Sequence, residues 1–246
     1  MSSIIRLRHT LDWMLTASIE DLKNHELLSQ KIGEAGLCHD TRMSPHNSSV
    51  SLYGDDVKYI VERVVLANKN PVESNGGLWQ TPIQLASYLI FLSDKEIKTF
   101  LELGTFTGYT SIVVCTYLTL FGLSVFETYD ILPICEIMYL FEEYKLRIVY
   151  RVGNPELIHK SVFPYYDVVF IDGDHSYEGI SSDFSKFGRG CRFVCFHDIN
   201  DYWCNGVVKF WNELKAKYYH TNNNIFEFTD HPNKFKLMGI GVLQWE

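Results

Sequence analysis

Two hydrophobic rhythms share this chain, and the change between them falls near residue 95. Up to there it reads as helical and irregular. Ser18 to Asp21 forms a capping-box-like start for a helix expected to stop near Gly33 to Gly36. The polar stretch from His39 to Ser51 carries Pro, Asn and serines without periodicity and reads as a loop or lid. A further helix is expected over Asp55–Asn68, then a loop over Pro71–Gly77, then a helix opened by Thr81-Pro82, where Pro at the first helical position gives up no needed N–H.

From Thr99 onward short apolar runs alternate with helical ones. Strands are expected at Thr99–Leu103, Leu123–Asp130, Ile148–Val152, Asp167–Asp172 and Arg192–His197. Helices are expected at Tyr109–Tyr117, Pro133–Lys145, Pro155–Lys160, Tyr177–Gly188 and Gly206–Lys217. Such alternation builds a parallel sheet with helices on both faces. The end of the chain departs from it: Asn224–Thr229 and Met238–Trp245 are strand-like, and the DHPNKFK turn between them leaves no room for a crossover helix. These two are expected to pair antiparallel. The expected division is an N-terminal helical or lid extension over 1–95 and a cofactor-binding domain over 96–246.

In an open α/β sheet the ligand lies at the carboxyl ends of the strands, so the residues that follow each strand carry the chemistry. The first strand end reads FLELGTFTGYTS over 100–111, an acidic residue and two glycines in the spacing E-x-G-x-x-x-G. Gly104 and Gly108 free the backbone to turn and to approach a ligand. A dinucleotide fingerprint wants G-x-G-x-x-G, and Phe106 stands where backbone must close on a pyrophosphate. The second strand end offers Asp130, able to accept hydrogen bonds from a ribose diol, with Glu127 as the fallback. The third offers Asn154, although Asn-Pro by itself favours its reading as the N-cap of a helix beginning at Pro155. The fourth delivers Asp172, Asp174 and His175 within four residues, and the fifth His197, Asp198 and Asn200. Carboxylates and imidazoles packed at one rim suggest a metal, a proton transfer, or both.

Composition narrows the partners. The 246 residues are 46% hydrophobic and 21% charged, ordinary for a globular chain with a substantial core. The net charge is −8 and no Lys/Arg cluster occurs, which argues against nucleic acid. Six cysteines form no C-x-x-C pair, and several lie in apolar runs, so they read as reduced core residues. No apolar run reaches the roughly 18 to 20 residues of a membrane span, and the start MSSIIRLRHTLDW lacks a signal peptide's apolar core, so a cytoplasmic protein without a membrane partner is expected.

The stretch 100–111 resembles the first motif of class I S-adenosylmethionine-dependent methyltransferases. IDGDHSYEG, over 171–179, resembles a group that includes sugar O-methyltransferases of macrolide tailoring, rhamnosyl O-methyltransferases and cephalosporin hydroxylase-like proteins. The resemblance spans about residues 76 to 245. It implies an α/β, Rossmann-like seven-stranded methyltransferase sheet, mostly parallel with an antiparallel C-terminal hairpin strand. By the same resemblance, S-adenosylmethionine is held by Glu102, Gly104, Thr105, Gly108, Asp130, Asn154 and Asp172. A divalent cation, Mg²⁺ or Mn²⁺, falls to Asp172, His197 and Asp198, although His197 departs from the two adjacent acidic ligands of the group's pattern. His175 falls in the place of a general base. Trp79 and Gln80 lie in the segment that closes over cofactor and substrate in related enzymes, and Tyr202, after the fifth strand, is a candidate to stack on a sugar ring or to anchor its loop to the core. The implied activity is O-methylation of a sugar hydroxyl of a small glycoside or glycan. Catechol-like acceptors, and a non-catalytic binding protein on the same fold, stay open, as does a homo-oligomer.

Overall fold

The computed structural model describes residues 3–36, 77–133, 135–153, 165–219, 224–231 and 237–245. The expected loop 39–51, the expected helices Asp55–Asn68 and Pro155–Lys160, and Asn154 lie outside the described residues.

Alternation along the strands decides the layering. In β1 (Thr99–Leu103) Phe100 joins one hydrophobic cluster while Leu101 and Leu103 join another, because successive side chains leave a strand on opposite faces. The same split recurs in β2 (Val125–Asp130), β4 (Tyr166–Ile171) and β5 (Cys191–His197), where Phe126, Phe170 and Phe193 point one way and Tyr129, Val169 and Val194 the other. With β3 (Ile148–Val152), β6 (Asn224–Phe228) and β7 (Ile240–Gln244) they form a seven-stranded sheet in the order β3-β2-β1-β4-β5-β7-β6. The first five strands run parallel; β7 is antiparallel to both β5 and β6, as the short DHPNKFK connection requires.

The N-terminal helices cover one face. They are α1 (Ser3–Thr16), α2 (Ile19–Lys23), α3 (His25–Glu34) and α4 (Pro82–Ser93), and they share a single cluster with α5 (Tyr109–Thr119) and with Phe100, Phe126, Phe170 and Phe193 of the sheet. Phe100 and Phe126 stack at 4.8 Å within it. Each such fully buried aromatic is worth on the order of 2 kcal/mol of apolar burial. The short α6 (Met138–Glu143) lies between β2 and β3, and α7 (Tyr177–Phe187) and α8 (Asn205–Tyr218) cover the other face with Ile180, Phe184, Phe210 and Trp211.

Where one helix was expected from Ser18 there are two. Ser18 accepts from the Asp21 N–H as a cap, but Asn24 then closes α2 and opens α3, accepting from the Leu27 N–H. An Asn side chain competes with the backbone for such bonds, which makes it a better cap than helix interior. The helix expected over Pro133–Lys145 is shorter, starting only at Met138. Cys115, Cys135, Cys191, Cys195 and Cys204 are free and buried. No described helix is long and apolar enough to cross a membrane.

Candidate active site

The parallel strands β1, β2, β4 and β5 end on one rim. After β1 the chain turns through Gly104 (φ +103°), Phe106 (φ +48°) and Gly108 (φ +89°), all in the left-handed region. A Cβ on Gly104 would lie 2.1 Å from the Asp172 carbonyl oxygen, so the glycine turn and the end of β4 are pressed together. A Cβ on Gly108 would lie 2.7 Å from Cys135 Sγ.

Glu102 stands under this turn, not in it. It is fully buried and accepts from Ser111 Oγ and Thr128 Oγ1 at 2.5 Å each, while Thr105 and Thr128 hydroxyls meet at 2.6 Å. Burial pushes the Glu102 carboxyl up from 4.5 to about 8 against those two hydrogen bonds. A folded-state pKa raised above the unfolded value means stability that is complete below about 4.5 and is lost as pH rises through about 8. Glu102→Gln is therefore expected to flatten the decline of melting temperature between these limits. The loss removed is on the order of 1 kcal/mol per pH unit. An unchanged slope in thermal unfolding of the variant would mean that Glu102 is ionised in the folded protein.

Asp130 ends β2 and is placed against the glycine turn. Its Oδ2 accepts from the Phe106 N–H at 2.7 Å and its Oδ1 from the Leu132 N–H at 3.0 Å. Burial raises its pKa and the backbone N–H groups partly offset this. Each oxygen keeps a lone pair for a further donor. Glu127, the fallback, is buried among the Tyr129 and Tyr166 hydroxyls instead.

The ends of β4 and β5 bring together Asp172, His175, His197 and Asp198. His197 Nδ1 lies 3.1 Å from Asp172 Oδ1 and 3.2 Å from Asp198 Oδ1. His175 Nε2 lies 3.4 Å from Asp172 Oδ1 and 3.4 Å from Asp198 Oδ2. Burial lowers both histidine pKa values, but the two carboxylates outweigh it, so both end above the ordinary value, His197 well above. Asp198 is driven down to about 2, since the imidazoles overcome its burial. The buried His197 Nε2 has no hydrogen-bond partner among the described residues. Asp174, by contrast, is exposed and caps its own turn through the Ser176 N–H, leaving the cluster without it.

The segment before α4 crosses the same rim. Trp79 meets Phe106 edge-on with ring centroids 6.0 Å apart, and Thr81 Oγ1 lies 3.6 Å from Met238 Sδ beside β7. Gln84 fastens the crossing, accepting from the Gly239 N–H and donating to the Leu237 carbonyl. Between these contacts Gln80 is buried, and neither of its amide atoms has a hydrogen-bond partner among the described residues. Tyr202 is 71% exposed and packs edge-on with Trp203.

Known structures share this architecture. TomG, an O-methyltransferase from Streptomyces achromogenes involved in tomaymycin synthesis and solved with S-adenosylmethionine, matches with a TM-score of 0.54 and 16% identity over 82% of this chain and 95% of that one. The SAH-bound Podospora anserina methyltransferase PaMTH1 matches with a TM-score of 0.52 and 16% identity over 82% and 92%. The fold is that of the class I methyltransferases. An rRNA methylase from Streptococcus thermophilus has it too, with a TM-score of 0.50 and 8% identity over 65% of this chain and 95% of that one, so the methyltransferase fold alone does not choose an acceptor. No family model and no curated protein matches the sequence.

Cys204 is the free, buried core thiol expected, and it has a second contact that the sequence reading did not anticipate: its Sγ donates to Asp198 Oδ2 at 3.3 Å. The signal was its place after the fifth strand, at the start of the next helix, where this methyltransferase fold keeps its chemistry.

Proposed function

We propose that the chain is an S-adenosylmethionine-dependent O-methyltransferase that methylates a sugar hydroxyl of a small glycoside or glycan with the help of a divalent cation. The observation that carries this reading is the joining of His175 to Asp172, His197 and Asp198 on the rim that the glycine turn also occupies.

The residues fit both missing groups. For the cofactor, the left-handed turn through Gly104 and Gly108 keeps side chains out of the approach, Thr105 lies in that turn, and Asp130 has lone pairs to spare for a ribose diol. S-adenosylmethionine supplies an electrophilic methyl on a sulfonium. For the cation, Asp172, His197 and Asp198 offer ligand atoms within 4.8 Å of one another, and the His197 to carboxylate separations of 3.1 and 3.2 Å approach the roughly 3 Å between neighbouring ligands of a Mg²⁺ or Mn²⁺ octahedron. A cation held by these three residues would lower the pKa of an acceptor hydroxyl.

The chain's own residues do the rest. His175, partly exposed, takes the proton that the hydroxyl loses at Nε2. Asp172 and Asp198, each with an oxygen 3.4 Å from that nitrogen, stabilise the imidazolium that forms once it has taken the proton. The buried Gln80 amide, without a partner among the described residues, would cost about 1–3 kcal/mol if left so, and a polar group of the bound molecules would satisfy it. Trp79 and Tyr202 offer aromatic faces at the rim for a sugar ring. We assign residues 1–95 the covering part and 96–246 the cofactor-binding part.

The sugar rests on the likeness of IDGDHSYEG to sugar-methylating enzymes. Catechol-like acceptors, whose paired oxygens chelate a cation in the same way, are the second reading. A panel of glycosides and catechols, incubated with S-adenosylmethionine and Mg²⁺ or Mn²⁺ and read by the gain of one methyl in mass, separates them. Methylated glycoside is the expected product; methylation of catechols alone moves the assignment to the second reading.

A further inference from the structure

The geometry points to a second metal position on this rim, formed by His175 Nε2, Asp198 Oδ2 and Cys204 Sγ, that takes a borderline-soft divalent ion of the Zn²⁺ class. The three donor atoms lie within 4.8 Å of one another. His175 Nε2 is 3.4 Å and Cys204 Sγ 3.3 Å from the shared Asp198 oxygen. Around a tetrahedral Zn²⁺ with bonds of about 2.0 Å to nitrogen and oxygen and about 2.3 Å to sulfur, the N···O edge is about 3.3 Å and the S···O edge about 3.5 Å. An imidazole, a carboxylate and a thiolate are ligands that zinc selects, the Cys204 thiol releasing to solvent on binding the proton it otherwise donates to Asp198, whereas the oxygen-rich neighbouring set suits a harder ion.

Two independent features build this arrangement. A Cβ on Gly206 would lie 2.4 Å from the His175 carbonyl oxygen and 2.5 Å from the Tyr177 nitrogen, so α8 starts hard against the backbone of His175 and carries Cys204 to it. Asp198 adopts φ +59°, in the left-handed region that Asp enters more readily than most side chains. That backbone sets Oδ1 toward His197 and Oδ2 toward His175 and Cys204, one oxygen for each ligand set. His175 is the exposed member, its side chain 36% accessible, which leaves an entry path and a fourth position for water.

Occupancy has a consequence that rests on the proposed methyl transfer. The ion takes the Nε2 lone pair through which His175 accepts the acceptor's proton, so zinc at this position inhibits an enzyme that magnesium supports.

The test uses Co²⁺ as a spectroscopic stand-in for zinc, titrated into the full-length protein without cofactor or acceptor. Co²⁺ at this position is expected to give the visible absorption of tetrahedral cobalt and a near-ultraviolet thiolate-to-cobalt charge-transfer band that saturates at one ion per chain with Mg²⁺ present to fill the neighbouring oxygen-rich set, both displaced by Zn²⁺ and not by Mg²⁺. Cys204→Ser is expected to lose the charge-transfer band. His175→Gln, at a partly exposed position, is expected to weaken Co²⁺ binding at least ten-fold, and it serves if the cysteine variant does not fold. Absence of Co²⁺ binding, binding without the thiolate band, or a band that survives in Cys204→Ser overturns the site. Binding as described without zinc inhibition of methyl transfer overturns the base role of His175 and leaves the metal site standing.

Discussion

His175→Gln is expected to lower the turnover of methyl transfer by about 10² to 10⁴-fold, the usual contribution of a positioned general base, while the affinity for S-adenosylmethionine changes less than two-fold. The split follows from where the residue stands. His175 reaches Asp172 and Asp198 at the ends of β4 and β5, whereas Asp130 and the glycine turn belong to β1 and β2. Its side chain is partly exposed, so removing it leaves no large cavity. Single-turnover rates with saturating acceptor, paired with calorimetric titration of the cofactor, read the two quantities separately. A loss of turnover below ten-fold, or a fall in cofactor affinity that matches the fall in turnover, would make His175 a structural member of the cluster.

Gly104→Ala carries the largest expected effect on the fold. The added methyl meets the Asp172 carbonyl at 2.1 Å, and φ +103° is closed to a side chain. Backbone cannot swing aside as a flexible side chain can, so the ends of β1 and β4 must part. The expected destabilisation is on the order of 3 kcal/mol or more, with cofactor binding lost in whatever remains folded. Gly190→Ala is the control: nothing lies within 4 Å of its added methyl, and its stability is expected to stay within about 0.5 kcal/mol of the parent. Urea unfolding of both variants checks the contrast. Equal stabilities would mean that the close approach of the two strand ends is not a fixed feature of the protein.

Much of this site is legible in the sequence because strand ends are. The runs that close with Glu102 and Gly104, with Asp130, with Asp172 and His175, and with His197 and Asp198 are apolar and short, and a parallel sheet delivers them to one rim. What pattern does not give is direction at a turn. Asp174 and Asp172 stand two apart, yet Asp174 folds back onto the Ser176 N–H while Asp172 meets both histidines. Cys204 reads as one more buried thiol until the close packing at Gly206 sets it beside His175. Phe106 shows the same gap: the flanking glycines are visible in the sequence, the left-handed phenylalanine between them is not. Asn24, able to end one helix and begin the next, broke a helix that its neighbours would have continued. Nor does the sequence say that α1 and α4 lie on the face of the sheet that carries Phe100 and Phe126.

Calorimetric titration of S-adenosylmethionine into the purified protein, with EDTA and again with Mg²⁺ or Mn²⁺, tests the methyltransferase reading most directly. Saturable binding of one cofactor per chain is the predicted result. No binding heat under any of these conditions would contradict it and leave a methyltransferase fold put to another use.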